Sequence, residues 1–163
     1  SMDRKENKEP VFLYVGRVAV EKNIEAFLSL KLKGKKIVVG KGPSFAKLKS
    51  AYQDVIFLGE KSKKELPEIY NQADVFVFPS LTDTFGLVLL EALACGVPVA
   101  AFPVAGPIDV IGDSKAGCLS HDLGDAVNQA LKIPRKVARD HAERYSWQKA
   151  SQIFLHHQTN AFL

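Results

Sequence analysis

Two cations near the amino end of the chain are of the types that bind phosphate groups. Arg17 and Lys22 follow Gly16, whose missing side chain permits a sharp backbone turn. An arginine can hold two phosphate oxygens with its planar guanidinium, while a lysine neutralises the remaining charge. This stretch therefore fits a diphosphate, and it also fits two surface cations at the start of a helix.

A second candidate stretch surrounds the start of a later helix. Residues 82–84 are capping types, and Gly86 lets backbone N–H groups approach an anion or a sugar hydroxyl. Within 85–95, Glu91 is the only polar side chain, so the pattern predicts a buried helix whose carboxylate needs hydrogen-bond donors. A ribose can supply two hydroxyl donors, and an internal arginine or lysine is the alternative. Asp83 is expected at the mouth of the site, either accepting bonds from sugar hydroxyls or simply capping the helix.

Short β-rich runs alternate with amphipathic stretches of helix length along the chain. Such alternation predicts right-handed crossovers and a parallel sheet with helices on both faces. The predicted class is α/β, a Rossmann-like doubly wound sheet of about six strands in the order 3-2-1-4-5-6. The predicted strands are Val11–Val15, Lys36–Val39, Val55–Leu58, Asp74–Phe78, Pro98–Phe102 and Gly117–Ser120. The predicted helices are Glu21–Leu30, Ser44–Ala51, Lys63–Asn71, Phe85–Cys95, Asp122–Lys132 and a stretch from Pro134 to the end.

This topology predicts where the candidate groups meet. Ligands of such sheets bind beyond the carboxyl ends of the strands, where the first and fourth strands lie side by side. The loops that leave these two strands, 16–23 and 79–86, contain most of the candidate residues, so we expect one crevice between them. The segment 40–43, Gly-Lys-Gly-Pro, is interpreted as a tight turn, and 103–107 as a rigid turn that can form a further wall.

Length and composition exclude several protein classes. The 163 residues are 47% apolar and 25% charged, which is typical of one soluble domain with a single core. No apolar run approaches the roughly 18 residues of a membrane helix, and the polar start lacks a signal-peptide pattern. Residues 1–9 are interpreted as a cloning scar and an interdomain linker, and 10–163 as the domain itself. Cys95 and Cys118, which lie in apolar stretches without a CxxC pattern, indicate reduced buried cysteines.

The basic residues are unevenly distributed along the chain. The net charge is +4, and ten of the 22 Lys and Arg residues lie between Lys31 and Lys64, where only Asp54 and Glu60 oppose them. This predicts a basic face that can meet phosphates, an anionic membrane or nucleic acid. A solvated helix surface is the simpler reading.

Together, these motifs resemble the carboxyl-terminal half of the GT4 family (glycosyltransferase group 1) of retaining glycosyltransferases. The resemblance lies in a Gly-Arg pair followed by Glu-Lys-Asn, the Gly-x-Gly-Pro turn, Pro-Ser-x-x-Asp-x-Phe-Gly-Leu and Glu-Ala-x-Ala-x-Gly-x-Pro-Val. It extends from about Val11 to the end of the chain. It implies the GT-B fold, in which the second of two Rossmann-like domains holds most of the nucleotide-sugar donor, and only that domain is expected here.

The resemblance also implies roles for individual residues. Arg17 and Lys22 would bind the donor diphosphate and stabilise the leaving nucleotide electrostatically, with no metal or cofactor. Glu91 matches the second acid of the family's Glu-x7-Glu motif and would hold the ribose. Asp83 replaces the first acid with a side chain one methylene shorter, and would contact the sugar. The remaining implied donor-binding residues are Gly16, Thr84, Phe85, Gly86, Leu87 and, through its backbone beside the nucleobase, Lys61.

By similarity, the expected enzyme is a bacterial hexosyltransferase that uses a GDP- or UDP-linked sugar. We favour mannose from GDP-mannose, transferred to a lipid-linked or lipopolysaccharide-type glycan. The acceptor would bind an amino-terminal domain absent from this chain, so the isolated domain is expected to be nearly inactive. The expected location is cytoplasmic, at the inner face of the membrane, with no nucleic-acid partner. A terminal helix from about Trp147 to Phe162 would pack at the domain junction.

The sequence leaves two other hypotheses on the function open. One is a non-catalytic module that binds a nucleotide or an anionic surface through the basic stretch. The other is a phosphorylase-like relative, which would need a lysine-bound pyridoxal cofactor.

Overall fold

A computed structural model describes residues 9–82 and 86–146. Within them, six strands form one parallel sheet in the order β3-β2-β1-β4-β5-β6. This confirms the predicted doubly wound α/β class and its strand order, and the predicted strands agree with the observed ones to within one residue at each end. The strands are β1 (Val11–Val15), β2 (Lys35–Val39), β3 (Ile56–Gly59), β4 (Val75–Phe78), β5 (Val99–Ala101) and β6 (Gly117–Leu119).

Six α-helices have both ends within the described part of the chain. They are α1 (Glu25–Leu28), α2 (Phe45–Ala51), α3 (Leu66–Gln72), α4 (Leu87–Ala94), α5 (Ala105–Val110) and α6 (Leu123–Ala130). Residues 135–146 are also helical, whereas the segment predicted as a helix from Trp147 lies outside the described residues.

Two local predictions are wrong. The predicted helix Glu21–Leu30 is interrupted at Asn23, which takes a left-handed backbone conformation between a single 3-10 turn (Val20–Lys22) and α1. The segment 103–107, predicted as a rigid turn, runs into α5. Pro107 is the third residue of that helix, where a backbone N–H has no partner within the helix and its loss costs little.

The core is divided between the two faces of the sheet. In β1, Leu13 points into the layer beneath α3, α4, α5 and the 135–146 helix, whereas Phe12 and Tyr14 point into the layer beneath α1, α2 and α6. Because alternate residues of a strand face opposite sides, buried strands of a parallel sheet are apolar throughout, as β1 and β4 are. Each fully buried side chain of this size contributes about 1.5–3 kcal/mol to folding.

The basic residues predicted to share one face are divided by the fold. The lysines in 31–35 lie before or at the start of β2, at the amino ends of the strands. Those in 61–64 follow β3, at the opposite, carboxyl ends of the strands. Lys36 is buried, and its ammonium group donates hydrogen bonds to the carbonyls of Leu28 and Leu30. The ten basic residues therefore do not all lie on one face, and a basic face formed by the others stays a prediction. Among the described helices, none combines the length and apolarity needed to cross a bilayer.

Candidate functional site

An open cleft of about 940 Å³ lies at the carboxyl ends of β1, β2 and β3. Its walls are the segments 15–17, 39–43, 45–46 and 60–61, together with Leu66 of α3. Three of the predicted site residues line it: Gly16, Arg17 and Lys61. A cleft of this size can hold a ligand as large as a nucleotide.

The cleft does not lie between β1 and β4, where the sequence predicts it. The side-chain amide of Asn23 donates a hydrogen bond to the backbone carbonyl of Pro79 at 3.0 Å, so the loops that leave these two strands contact each other. In the described part of the chain, the open volume is displaced towards β2 and β3. The predicted meeting of the two loops is correct, and the predicted open space between them stays a prediction because residues 83–85 of the second loop lie outside the described part of the chain.

Glycines bring the loop after β2 against the loop after β1. A Cβ atom on Gly40 would lie 1.8 Å from the carbonyl oxygen of Gly16, and one on Gly42 would lie 2.3 Å from that of Val18. The backbone N–H of Val18 also donates to the carbonyl of Lys41 at 3.0 Å. The Gly-Lys-Gly-Pro segment is therefore part of the cleft wall and not just a turn. The glycine spacing was the available signal for this.

Arg17 stands at the cleft with its backbone fixed and its side chain exposed. The Tyr14 hydroxyl donates to the Arg17 carbonyl at 2.7 Å. The Arg17 Nε lies 3.5 Å from Glu21 Oε1, and both side chains are 60% exposed. Such a surface pair contributes about 0–1 kcal/mol, so an anionic ligand can readily replace Glu21. Lys22 ends the 3-10 turn, is partly buried and does not line the cleft.

An ion pair joins the loops after β2 and β3 at the cleft. The Lys41 Nζ lies 2.9 Å from the Glu60 Oε2, and both residues line the cleft with largely exposed side chains. With Arg17 and Lys61, the lining contains three cations and one carboxylate. This excess of positive charge favours a phosphorylated ligand.

Glu91 is exposed, which contradicts the predicted burial of its helix on all sides. Leu89 and Leu93 of α4 are buried against the sheet, whereas Leu87 is 70% exposed. Only one face of α4 is covered in the described structure, so the carboxylate does not suffer the predicted desolvation.

The hydrogen-bond donor to Glu91 is a tyrosine and not the arginine or lysine considered from the sequence. The hydroxyl of buried Tyr70, on α3, donates to Glu91 Oε2 at 3.3 Å. Burial, and secondly the charge of Glu91, raise the pKa of Tyr70, which keeps the phenol protonated. No sequence signal indicates this pairing, because the two residues are 21 positions apart on different helices.

The remaining predicted residues lie around the start of α4. Gly86 precedes the helix, and a Cβ there would lie 2.2 Å from Val110 Cγ2 of α5, so only glycine lets the two helices approach this closely. Leu87 is the first helical residue. Asp83, Thr84 and Phe85 fall outside the described residues.

The described residues were also compared with the requirements of a metal site and of a reactive thiol. Among the described residues, no three His, Cys, Asp or Glu side chains are grouped as a metal site would require. Cys95 and Cys118 are unpaired and partly buried, and burial raises the pKa of both thiols. Both are thus less reactive than an exposed cysteine.

Comparison with known proteins places these features in context. A family model described as glycosyl transferases group 1 matches residues 3–152. A sulfoquinovosyl transferase of Arabidopsis thaliana is 33% identical over 96% of this chain, and a GDP-mannose-dependent alpha-mannosyltransferase of Mycobacterium tuberculosis is 39% identical over 80%. The matched regions are 34% and 36% of these relatives, so the chain spans about a third of their length.

Solved structures show the same fold. A sucrose-phosphate synthase of Thermosynechococcus elongatus superposes with a TM-score of 0.75 at 28% identity, covering 96% of this chain and 47% of the synthase. The HepE protein of Anabaena, solved in complex with UDP-glucose, superposes with a TM-score of 0.70 at 20% identity over 86% of this chain and 44% of that protein.

Proposed function

The chain belongs to the group 1 glycosyl transferases, and on that premise we propose that it is the donor-binding part of a retaining hexosyltransferase. Membership of the family confirms the resemblance in the motifs, and the sheet is that of GT-B glycosyltransferases. The observation that carries the proposal is the cationic cleft at the carboxyl ends of β1, β2 and β3, with Gly16, Arg17 and Lys61 in its walls.

In this proposal, each part of the donor has a separate set of contacts. The diphosphate binds Arg17 and Lys22, whose charges stabilise the leaving nucleotide as the sugar departs. The nucleobase lies against the backbone near Lys61, and Glu91 accepts hydrogen bonds from the ribose. Arg17 supports this arrangement because its side chain is exposed, lines the cleft and is paired with Glu21 in an exposed ion pair.

The residues before α4 complete the proposed donor site. Backbone N–H groups of 85–87 would face the sugar and the phosphates, since the first N–H groups of a helix have no partner within it. Thr84 and Asp83 would contact the sugar. This part remains a prediction from the motif.

We propose GDP-mannose as the donor and a lipid-linked or lipopolysaccharide-type glycan as the acceptor. One relative is named a GDP-mannose-dependent alpha-mannosyltransferase, which supports guanosine as the nucleoside and mannose as the sugar of the proposed donor. The chain spans about a third of that relative, which supports an acceptor site in a part of the enzyme outside this chain. The proposal requires no metal ion, and it places the enzyme in the cytoplasm at the inner face of the membrane.

The alternative of a non-catalytic module on an anionic surface has less support. It depends on a continuous basic face, whereas the lysines of 31–35 lie at the amino ends of the strands and those of 61–64 at the carboxyl ends.

Calorimetric titration of the chain with GDP, UDP, ADP, GDP-mannose and UDP-glucose tests the proposal. With EDTA present, we expect GDP and GDP-mannose to bind most tightly. Arg17→Ala and Glu91→Gln should each weaken binding at least about tenfold, because each removes a charge-assisted hydrogen bond. Lys35→Ala is the matched control, since Lys35 is exposed and begins β2, at the end of the strand opposite to the cleft. Absence of binding by all five ligands would contradict a donor site in this chain. Binding that occurs only with added Mg²⁺ would contradict the proposal that the donor binds without a metal ion.

A further inference from the structure

Tyr70 is a buried phenol whose hydroxyl reaches an exposed carboxylate. The residue is 2% exposed, and its ring packs beside Phe76 of β4 with 6.0 Å between the ring centroids. Its hydroxyl donates to the carboxylate of Glu91, across the junction of α3 and α4. A buried phenol that is packed in this way has a fixed position, so it provides a fixed donor.

The acceptor of this bond is otherwise free to adopt many conformations. A glutamate side chain has three rotatable bonds, and holding it in one conformation costs rotamer entropy. Glu91 is exposed, so packing alone does not select its conformation. The bond from Tyr70 engages Oε2 and thereby restricts the carboxylate before any ligand arrives, which is preorganisation.

The helix that carries Tyr70 also forms part of the cleft. Leu66, which begins α3, lines the cleft, and Tyr70 follows it by four residues on the same side of the helix. Glu91 is therefore attached, through one rigid tyrosine, to a helix that forms the cleft wall.

We propose that Tyr70 is a positioning residue, which holds the Glu91 carboxylate in the orientation that binds the ribose hydroxyls of the donor nucleotide. The inference rests on the proposed function, since it takes Glu91 as the ribose-binding group. It adds that a buried hydroxyl on a neighbouring helix sets the strength of that contact. A tyrosine that only fastened α3 to α4 would affect the stability of the fold and not the recognition of ribose.

Tyr70→Phe removes the hydroxyl and keeps the ring against Phe76, so it isolates the hydrogen bond. Binding of GDP and UDP is compared with binding of their 2′,3′-dideoxy analogues, which keep the base and the diphosphate but lack both hydroxyls. The test ligand is whichever of GDP and UDP binds the parent more tightly. We expect Tyr70→Phe to lower the affinity for this ribonucleotide about five- to tenfold, as the loss of one net hydrogen bond predicts, and to leave the affinity for its dideoxy analogue unchanged. Unchanged binding of the analogue also shows that the variant is folded.

Two further variants complete the test. Glu91→Ala, which removes both acceptor oxygens, should abolish the preference for ribonucleotide over dideoxynucleotide, and Tyr70→Phe combined with Glu91→Ala should be no weaker than Glu91→Ala alone. Tyr52→Phe is the matched control, because Tyr52 packs in the other layer of the core.

The outcomes separate the two proposals. If Tyr70→Phe keeps the full preference for ribonucleotide while Glu91→Ala loses it, Tyr70 does not position Glu91, and the proposed role of Glu91 stands. Equal weakening of ribonucleotide and dideoxynucleotide by Tyr70→Phe would show a purely structural role and also overturn the inference. If Glu91→Ala keeps the preference, the ribose role of Glu91 fails, and the inference fails with it.

Discussion

The side-chain amide of Asn23 donates a hydrogen bond to the backbone carbonyl of Pro79, 3.0 Å away. Asn23 takes a left-handed backbone conformation with φ of 56°, which asparagine tolerates better than most residues. One residue therefore ends the turn that carries Lys22 and connects the loop after β1 to the loop after β4. We infer that Asn23 fixes the relative position of the two loops that carry the proposed diphosphate and sugar contacts.

Substitutions at Asn23 should separate its two contributions. Asn23→Gly keeps the left-handed backbone and loses the amide, so we expect a loss of about 1 kcal/mol in the free energy of unfolding. Asn23→Ala also forces an L-residue without a polar side chain into this conformation, which adds about 1–2 kcal/mol. Urea denaturation measures both. Asn128→Ala, at an exposed position of α6, is the control, and an Asn23→Gly variant as stable as the parent would contradict the inference.

Arg17 and its partner Glu21 should respond differently to substitution. Arg17→Lys keeps the charge but loses the two-pronged contact with phosphate oxygens, so its affinity for GDP should fall between that of the parent and that of Arg17→Ala. Glu21→Ala removes the exposed partner and leaves Arg17 in place, so affinity should stay equal or rise slightly. Calorimetry at two salt concentrations measures both effects. A Glu21→Ala variant that binds GDP as weakly as Arg17→Ala would show that the ion pair, and not the free guanidinium, forms the site.

The sheet was predictable because its central strands are apolar on both faces. Every residue of β4 is buried, and Phe12 and Leu13 of β1 are each at most 1% exposed although they face opposite layers. A short, continuous apolar run of this kind fits the interior of a parallel sheet, and the helical stretches between such runs determine the crossovers. Local sequence therefore contained enough information for the strands and the parallel sheet, and the strand order followed from the doubly wound class to which they were assigned.

The details of the site were less predictable because they depend on contacts between distant residues. Asn23 and Pro79 are 56 positions apart, and the close approach of Gly40 to Gly16 joins two different loops. The exposure of Glu91 depends on how much of α4 is covered, which a pattern of residue types within one helix does not contain. Sequence motifs could thus name candidate residues, three of which line the described cleft, whereas the cleft beside β2 and β3 had to come from the structure.

Gly40 and Gly59 provide a matched test of the close contact between the two loops. Both have left-handed or related backbone conformations that favour glycine, with φ of 134° and 74°. A Cβ on Gly40 would lie 1.8 Å from a backbone oxygen, whereas one on Gly59 would have no heavy atom within 4 Å. We expect Gly59→Ala to cost about 1–2 kcal/mol, and Gly40→Ala to cost at least about 1–3 kcal/mol more because the backbone must move. Equal losses in thermal or urea unfolding would argue against rigid contact between the loops.

Lys36 should stabilise the fold through the end of α1. Its buried ammonium donates to the carbonyl of Leu28 at 2.7 Å and to that of Leu30. Leu28 is the last residue of α1, where a helix provides no N–H partner for the carbonyl, and Leu30 follows two residues later. Burial partly desolvates the ammonium group and thereby lowers the pKa of Lys36. Lys36→Met fills similar space without donors, so we expect a loss of about 1–3 kcal/mol in unfolding free energy. Lys35→Met, at the exposed neighbouring position, should change it by less than about 0.5 kcal/mol; similar losses in the two variants would contradict the role of the buried ammonium.

Tyr145 should make the stability of the chain depend on alkaline pH. Its hydroxyl donates to Asp109 of α5 at 2.7 Å, and burial, followed by this bond and the charge of Asp109, raises the pKa of Tyr145 to about 12. An unfolded tyrosine titrates near pH 10, so the folded state binds more protons than the unfolded state between about pH 10 and pH 12. The stabilisation from Tyr145 is therefore fully present below pH 10 and is lost as the pH rises towards 12. Urea denaturation of the parent and of Tyr145→Phe across this range measures it as the difference between their unfolding free energies. We expect this difference to be largest below pH 10 and to shrink above it, and a difference that grows with pH would contradict the bond between the 135–146 helix and α5.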